Sequence, residues 1–508
     1  MNWKITFHIV SLLLFLEGIG ITSGIIPGFL CKDPIRENII LALCGLFTMI
    51  CGLAGALLTR GSGGRQPGLR EGFASVGLTW LVCTLFGALP YIFCTGLYFP
   101  DAVFETASGI TTTGATILAP ALPLTGGRTL VNGIESLSHG VLFWRSLSQW
   151  IGGGGIVVFS LAILPFLGTG SQALYNAEVP GVKNNHDQFT PRVATTAKIM
   201  FALYILLTLL LFFLLYLGNM SVFDAVCHAL TTMATGGFST KNASIAFYNS
   251  IYIESVITLF MFLAGCNFIL LYRALRGLRI KEYFSEEHKV FTVIILLSTL
   301  LLTVLLLQEK MTQSCGETLF ALIPGTVRKT LFQVVSLITT TGFATADYML
   351  WPLSSNMILL FLMFCGGCAG STAGGFKIVR LLILAKSVVA ELKRSIYPRS
   401  VQLVKLDHKK LGLEAWRNCI GFSIIFFATL FSVALFLPLI CKMDLTTALF
   451  SSVTAISNVG PGFGACGPSG SFAWMNTPSK LLLSLEMIAG RLELYTILIL
   501  FMPSFWKR

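Results

Sequence analysis

Four glycines, Gly114, Gly237, Gly342 and Gly460, hold equivalent places in four polar runs of an otherwise apolar chain: TTTGAT (Thr111–Thr116), ATGGFST (Ala234–Thr240), TTTGFAT (Thr339–Thr345) and SNVGPG (Ser457–Gly462). Threonine, asparagine and glycine supply oxygen atoms from hydroxyls, amides and backbone carbonyls, but no charge. The chemistry open to such a set is the exchange of a cation's hydration oxygens for protein oxygens. Backbone carbonyls do this without adding charge, and glycine lets the backbone aim them through conformations that a side chain forbids. Catalysis would need other residues. The six histidines are dispersed with none in an H-E-x-x-H motif, and no Walker A sequence is present, so no enzyme is expected.

Aligned without gaps, the runs extend to DAVFETASGITTTGAT from Asp101, DAVCHALTTMATGGFS from Asp224, KTLFQVVSLITTTGFA from Lys329 and TALFSSVTAISNVGPG from Thr447. Position fourteen is the constant glycine, and position eight is a hydroxyl residue throughout: Ser108, Thr231, Ser336 and Thr454. One run alone reads as a small-residue seam for helix packing. Recurrence at a fixed offset favours a filter built from all four. About twelve helical residues cover only about 18 Å, so each stretch predicts a re-entrant helix that ends at mid-depth. Backbone rich in glycine at that depth is tolerated where it is buried in protein or lines water. Each helix aims its negative C-terminal end, roughly half a charge, toward the centre. Anion pores use lysine or arginine rings, absent from these runs after position one, and divalent sites recruit carboxylates. Glu105 and Asp224 occur in single copies and are read as acids near helix N-termini.

The elements around these runs are membrane spans. The 508 residues are 55% hydrophobic and 11% charged, well below the roughly 25% charged of soluble domains. The mean hydropathy is +0.80. Stretches of the length needed to cross about 30 Å of hydrocarbon include His8–Phe29, Asn38–Leu58, Val76–Leu97, Met200–Leu217, Phe291–Leu307 and Leu481–Met502. Glu17 and the absence of an A-x-A site argue against reading the first as a cleaved signal. The formal charge of +12 comes from clusters between spans, at Arg60–Arg70, Arg273–Lys289, Lys377–Lys410 and Lys507–Arg508. Positive-inside topology accounts for them with both termini cytoplasmic, and no nucleic-acid partner is expected. The thirteen cysteines form no disulfide framework, and Cys365 and Cys368 are read as small packing residues.

The expected fold is therefore an all-α polytopic membrane protein: an N-terminal two-helix hairpin (1–70) followed by four span–loop–span units at 71–170, 171–280, 281–400 and 401–508. Gly366, Gly367, Gly370, Ser371, Thr372, Gly374 and Gly375 interrupt the span after the third run. Glycine costs about 1 kcal/mol per helical position relative to alanine, so that span should break, and a low-stability segment beside a filter is a candidate gate. Arg491 lies in the last span with Glu486 and Glu493 near it in sequence. It is expected to face the pore and meet the glycine-rich segment, with neutralisation of a local carboxylate as the alternative. Asn267, Arg145, Gln149 and Gly152–Gly155 are either pore-lining or helix-pairing positions.

Taken together, DAVFETASGITTTGAT, FWRSLSQWIGGGGIVVF, AEVPG followed by TPRVATTAKI, TMATGGFST, TTTGFATAD, CGGCAGSTAGGFKIVR, SNVGPGFG and IAGRLELYT resemble the TrkH/TrkG branch of the Trk potassium uptake proteins, over nearly the whole chain. The resemblance implies a pseudo-tetrameric pore with potassium, the transported ion, held at Thr112, Thr113 and Gly114, at Thr235, Gly236 and Gly237, at Thr340, Thr341 and Gly342, and at Asn458, Val459 and Gly460. It further implies a gating loop at Gly366–Gly375 with Arg491 as a second barrier, a homodimer in the bacterial inner membrane, a cytosolic TrkA-type nucleotide-binding ring as partner, and no organic cofactor on this chain. Phe343 stands where tyrosine is common, and Val459 precedes the fourth glycine. The basic stretch Lys377–Lys410 is either a docking surface for the ring or an anchor to anionic lipid. A potassium symporter coupled to sodium or protons is the other reading; such folds typically have two inverted halves rather than four like-oriented units.

Overall fold

The structure is a computed structural model and describes residues 2–61, 68–163, 189–277, 285–313, 319–399, 404–407 and 409–506. The AEVPG motif, residues 177–181, lies outside the described residues. The chain is mostly helical. The first hairpin comprises α1 (Trp3–Ser23), the short α2 (Ile25–Leu30) and α3 (Ile35–Leu58). Gly18 of α1 and Gly45 of α3 face each other so closely that a Cβ on Gly45 would lie 3.0 Å from the Gly18 carbonyl oxygen. Small residues let these two helices pack backbone to backbone where apolar burial gives no drive in lipid.

The remaining helices fall along the chain in four successive groups. The first has α4 (Leu69–Gly87), α5 (Phe99–Ile110) and α6 (His139–Ile163). The second has α7 (Phe189–Leu217), α8 (Val222–Met233), and the pair α9 (Ile251–Ala264) and α10 (Phe268–Gly277). The third has α11 (Glu286–Gln313), α12 (Leu319–Ile338), α13 (Leu353–Cys365) and α14 (Ile378–Ile396). The fourth has α15 (Leu413–Ile440), α16 (Leu445–Ser457), α17 (Thr477–Arg491) and α18 (Tyr495–Leu500). Among the described residues six helices are long and apolar enough to cross a membrane.

Burial differs from that of a water-soluble protein in its buried hydroxyls and its exposed apolar side chains. The short helices α5, α8 and α16 are the centre: every residue from Asp101 to Ile110 and from Phe450 to Ser457 is buried, hydroxyls included. The long helices turn leucine and phenylalanine outward, as with Leu16, Leu43 and Phe47 of the hairpin and Leu296 and Leu300 of α11. Lipid is as apolar as those side chains, so polar and small residues share the interior with an apolar core that includes Trp144, Phe104 and Phe332.

The structure corrects three expectations and adds one break. Leu481–Met502 is not one continuous span, because Glu493 and Leu494 take left-handed φ of 57° and 52° and part α17 from α18. Ala415–Ile440, before the fourth short helix and not among the stretches named from the sequence, is long and apolar enough to cross. The third short helix is twenty residues long rather than about twelve, and includes Pro324. Glu105 sits mid-helix in α5 rather than at its start, whereas Asp224 does lie in the first turn of α8. A further break, missed in the sequence, bends α9 against α10 by 104°. Asn267 sits there, its side-chain oxygen accepting the N–H groups of Ile269 and Leu270 at 2.9 and 3.2 Å to start the new helix.

Candidate functional site

Each short helix ends in the same way. The position-thirteen N–H reaches back to the position-eight carbonyl: Thr113 to Ser108, Gly236 to Thr231 and Thr341 to Ser336 at 2.9 Å, and Val459 to Thr454 at 3.0 Å. The N–H before it donates to position nine: Thr112 to Gly109, Thr235 to Thr232, Thr340 to Leu337 and Asn458 to Ala455. This pair of bonds is a Schellman end, which requires a left-handed residue just past the helix. Thr112, Thr235, Thr340 and Asn458 supply it, with φ of 54°, 53°, 55° and 54°. Asparagine adopts this conformation readily, but for a β-branched threonine it is an outlier, held by the surrounding structure. Two residues later Gly114, Gly237, Gly342 and Gly460 are again left-handed, with φ from 75° to 100°.

The four loops meet in a closed cycle. A Cβ on Gly114 would collide with the carbonyl oxygen of Gly236, one on Gly237 with that of Thr341, and one on Gly342 with that of Val459. One on Gly460 would lie 2.6 Å from that of Thr113, which returns the cycle to the first loop. All four glycines line a single cavity, together with Arg145, Lys241 and other residues. Asn458 ties the fourth loop to the first, its side-chain nitrogen donating to Thr113 Oγ1 at 2.9 Å.

A buried strut from α6 holds the first two loops. Arg145 Nε donates to Glu105 Oε1 at 2.8 Å, and the two side chains are 2% and 0% exposed. Glu105 also accepts from Thr116 Oγ1 and from the Ile117 N–H, both at 3.0 Å, just beyond the first glycine. Arg145 Nη1 donates to the Ser239 carbonyl at 2.9 Å, and its guanidinium lies 3.4 Å over the Phe238 ring. Gln149, one turn along, bonds the second loop through Gly236 and Phe238. The glycines that follow it lie against the ends of the short helices: a Cβ on Gly152 would collide with the Ile110 carbonyl, and one on Gly153 would lie 2.8 Å from Ala234 Cα. These positions were readable as pore-lining or helix-pairing; Arg145 and Gln149 bond loop backbone, and Arg145 also lines the cavity.

The glycine-rich segment breaks its span as expected. α13 stops at Gly366, whose φ is 68°, and helix resumes at Ile378. Between them Ser371 Oγ donates to the Cys368 carbonyl at 2.5 Å, the Ile378 N–H to Gly367, and the Phe268 N–H to Gly370. The segment touches three of the four loops. Thr372 Oγ1 donates to the Met233 carbonyl at 3.0 Å, the Gly374 N–H donates to Thr340 Oγ1 at 2.7 Å, and a Cβ on Gly374 would lie 2.6 Å from the Ser457 carbonyl. Gly375 lies against Gly366. Arg491 Nη1 donates to the Thr372 carbonyl at 2.9 Å. Its sequence neighbours are engaged elsewhere: Glu493 pairs with Arg380 at 2.6 Å, and Glu486 accepts from Ser452 Oγ at 2.6 Å. Two Arg491 nitrogens, Nε and Nη2, have no partner among the described residues.

Sequence reasoning missed how the segment is tied to the start of α11. Glu287, at the start of α11, accepts the Ala369 N–H at 2.7 Å. The adjacent Glu286 and Asp407 exchange bonds, each N–H donating to the other's carboxylate, at 2.7 and 3.2 Å. The only sequence hint is a pair of acids opening a long apolar helix. Cys365 and Cys368 are buried, and no group of three metal-ligating side chains occurs among the described residues.

A family model, TrkH, described as cation transport protein, matches residues 41–508. The Trk system potassium uptake protein TrkH of Salmonella typhimurium is 39% identical over 442 residues, 86% of each chain. TrkG of Escherichia coli K12 is 32% identical over 507 residues, 99% of each. The crystal structure of the potassium transporter TrkH from Vibrio parahaemolyticus covers all of both chains with a TM-score of 0.86 and 31% identity. These relatives are transporters and not enzymes, and this chain, a multi-pass membrane protein, belongs to the TrkH family of cation transport proteins.

Proposed function

We propose that the chain is a potassium-selective, gated pore for ion uptake, with the four loops as its filter. The observation that carries the reading is the closed cycle in which each constant glycine packs on the carbonyl of the next loop and the fourth returns to the first. Four helix ends of identical hydrogen bonding direct four negative dipole ends and a set of uncharged oxygens to one place, which suits a monovalent cation stripped of water. The relatives' names supply the ion, potassium. On this reading units 71–170, 171–280, 281–400 and 401–508 form a pseudo-tetramer behind the hairpin 1–70. The driving force is the membrane potential, about 2.3 kcal/mol per charge at ~100 mV.

Gly366–Gly375 is the gate in this reading, and Arg491 holds it closed through Thr372. A homodimer in the bacterial inner membrane with cytoplasmic termini, and a TrkA-type ring acting on the gate, complete it. The bend between α9 and α10 is the kind of discontinuity that coupled transporters use. Strict dependence of flux on a sodium or proton gradient would favour a symporter over a pore.

Replacing Gly114 with serine tests the filter. Its φ of 84° and the Gly236 carbonyl leave no room for a side chain. Rubidium flux relative to sodium flux in proteoliposomes should fall by about tenfold, the equivalent of ~1.4 kcal/mol of discrimination. An unchanged ratio contradicts the filter.

A further inference from the structure

The second loop departs from the others at position thirteen, which holds Thr113, Thr341 and Val459 elsewhere but glycine at Gly236. The backbone does not demand glycine there, because Gly236 is not among the left-handed residues, in contrast to Gly237 at φ 75°. What excludes a side chain is Gln149. A Cβ on residue 236 would collide with that amide and would lie 2.8 Å from its Nε2. Gln149 is fully buried and uses both ends of its amide. Its Nε2 donates to the Gly236 carbonyl at 2.6 Å, and its Oε1 accepts the Phe238 N–H at 3.1 Å. A donor facing a carbonyl and an acceptor facing an N–H fix which end of the amide is which.

The Gly236 carbonyl is also the atom on which Gly114 of the first loop packs. Among the described residues no side chain donates to the corresponding carbonyls of Thr113, Thr341 or Val459. Gln149 therefore stands in the place of a missing side chain and sets the position of one oxygen shared by two loops.

We propose that Gln149 is a positioning residue of the second loop, supplied from α6 in place of the side chain that Gly236 lacks, and that it sets the discrimination of the pore between monovalent cations. The proposal rests on the reading of the four loops as a filter. A buried amide bonded on both sides of Gly237 resists the movement that a smaller or larger ion would impose on the Gly236 carbonyl. The bland role, filling space between α6 and the second loop, would be met equally by an apolar side chain of the same length.

The test is rubidium and sodium flux through the purified full chain in proteoliposomes. Gln149→Met keeps the length and loses both hydrogen bonds, and should lower the rubidium-to-sodium ratio about fivefold, the size expected for one net hydrogen bond. Gly236→Thr alone should lower flux, because the side chain meets Gln149. The double variant Gln149→Ala with Gly236→Thr rebuilds position thirteen as in the first and third loops, and should recover the parental ratio within about twofold. An unchanged ratio in Gln149→Met overturns the proposal, as does a double variant no better than Gln149→Ala alone. If Gln149→Met is not recovered folded, the double variant decides by the same criterion. A drop in the ratio for Gly114→Ser with none for Gln149→Met defeats this inference and leaves the filter reading standing; no drop in either defeats the filter reading itself.

Discussion

Around the four glycines, the first two loops are held from the side by charged and amide groups carried on α6, whereas the third and fourth lean on hydroxyls and on the glycine-rich segment. Arg145, Glu105 and Gln149 span the first pair with buried bonds of 2.6 to 3.1 Å. In the second pair Ser336 Oγ donates to the Phe343 carbonyl, Thr454 Oγ1 to Gly460, and Tyr348 to Gly462, all neutral groups. Neutral hydrogen bonds contribute about 1 kcal/mol each, while a buried ion pair stripped of one partner costs about 3–5 kcal/mol. The two sides thus differ in what their loop contacts cost to break, a buried ion pair on one and mainly neutral hydrogen bonds on the other. The glycine-rich segment Gly366–Gly375 reaches both sides, with hydrogen bonds at Met233 of the second repeat and Thr340 of the third, and packs on Ser457 of the fourth.

The largest effect that would break this comparison lies in the strut. Arg145→Ala strands a carboxylate that is 0% exposed and should cost about 3–5 kcal/mol, read as a lower melting temperature in detergent. Arg145→Ala combined with Glu105→Gln should recover part of that loss. A single variant as stable as the parent would show that the first pair of loops is not held by charge.

Position twelve sharpens the contrast, since the same residue type has different partners on the two sides. Thr340 Oγ1 accepts the Gly374 N–H, while Thr112 Oγ1 has no partner among the described residues. Thr340→Val should therefore cost about 1–2 kcal/mol and raise uncontrolled flux, and Thr112→Val should leave stability nearly unchanged. Equal losses in both would erase the difference between the sides. Smaller still is Glu287→Ala, which frees the Ala369 N–H and should speed amide hydrogen exchange across 366–375 by about fivefold, for ~1 kcal/mol. Glu287→Gln keeps an acceptor and should exchange at nearly the parental rate.

The smallest expected effect is a pH dependence at the start of α16. The side chain of Thr447 holds the Asp444 carboxyl below its ordinary value, helped by the Thr447 N–H at 3.1 Å. A carboxyl lowered by folding stabilises above its unfolded value, and that stabilisation is lost as pH falls through the lower, folded value. Acidification through the carboxylate range should lower the melting temperature slightly, and Asp444→Asn should remove that component of the pH slope.

The cycle of glycines was legible in the sequence because it repeats: four copies in one register expose position fourteen without any structure. The broken span at Gly366–Gly375 was legible for a local reason, the density of residues unfit for helix. What stayed hidden depends on single side chains with no repeat to compare. Glu105 read as a helix-terminal acid because its partner, Arg145, is forty residues away in another span. Gln149 was readable as pore-lining or helix-pairing, but its contact showed only in the extra glycine at Gly236, where other loops hold a side chain. The break at Glu493 and Leu494 carried no glycine or proline to mark it.

The central claim is that the four glycine loops bind the transported ion together. Anomalous diffraction from crystals of the protein grown in rubidium or thallium measures this directly. The account predicts a peak on the axis of the cycle, bounded by backbone oxygens from all four of the loops containing Gly114, Gly237, Gly342 and Gly460. A structure with those loops ordered and no peak among them, or a peak held by fewer than four, would contradict it.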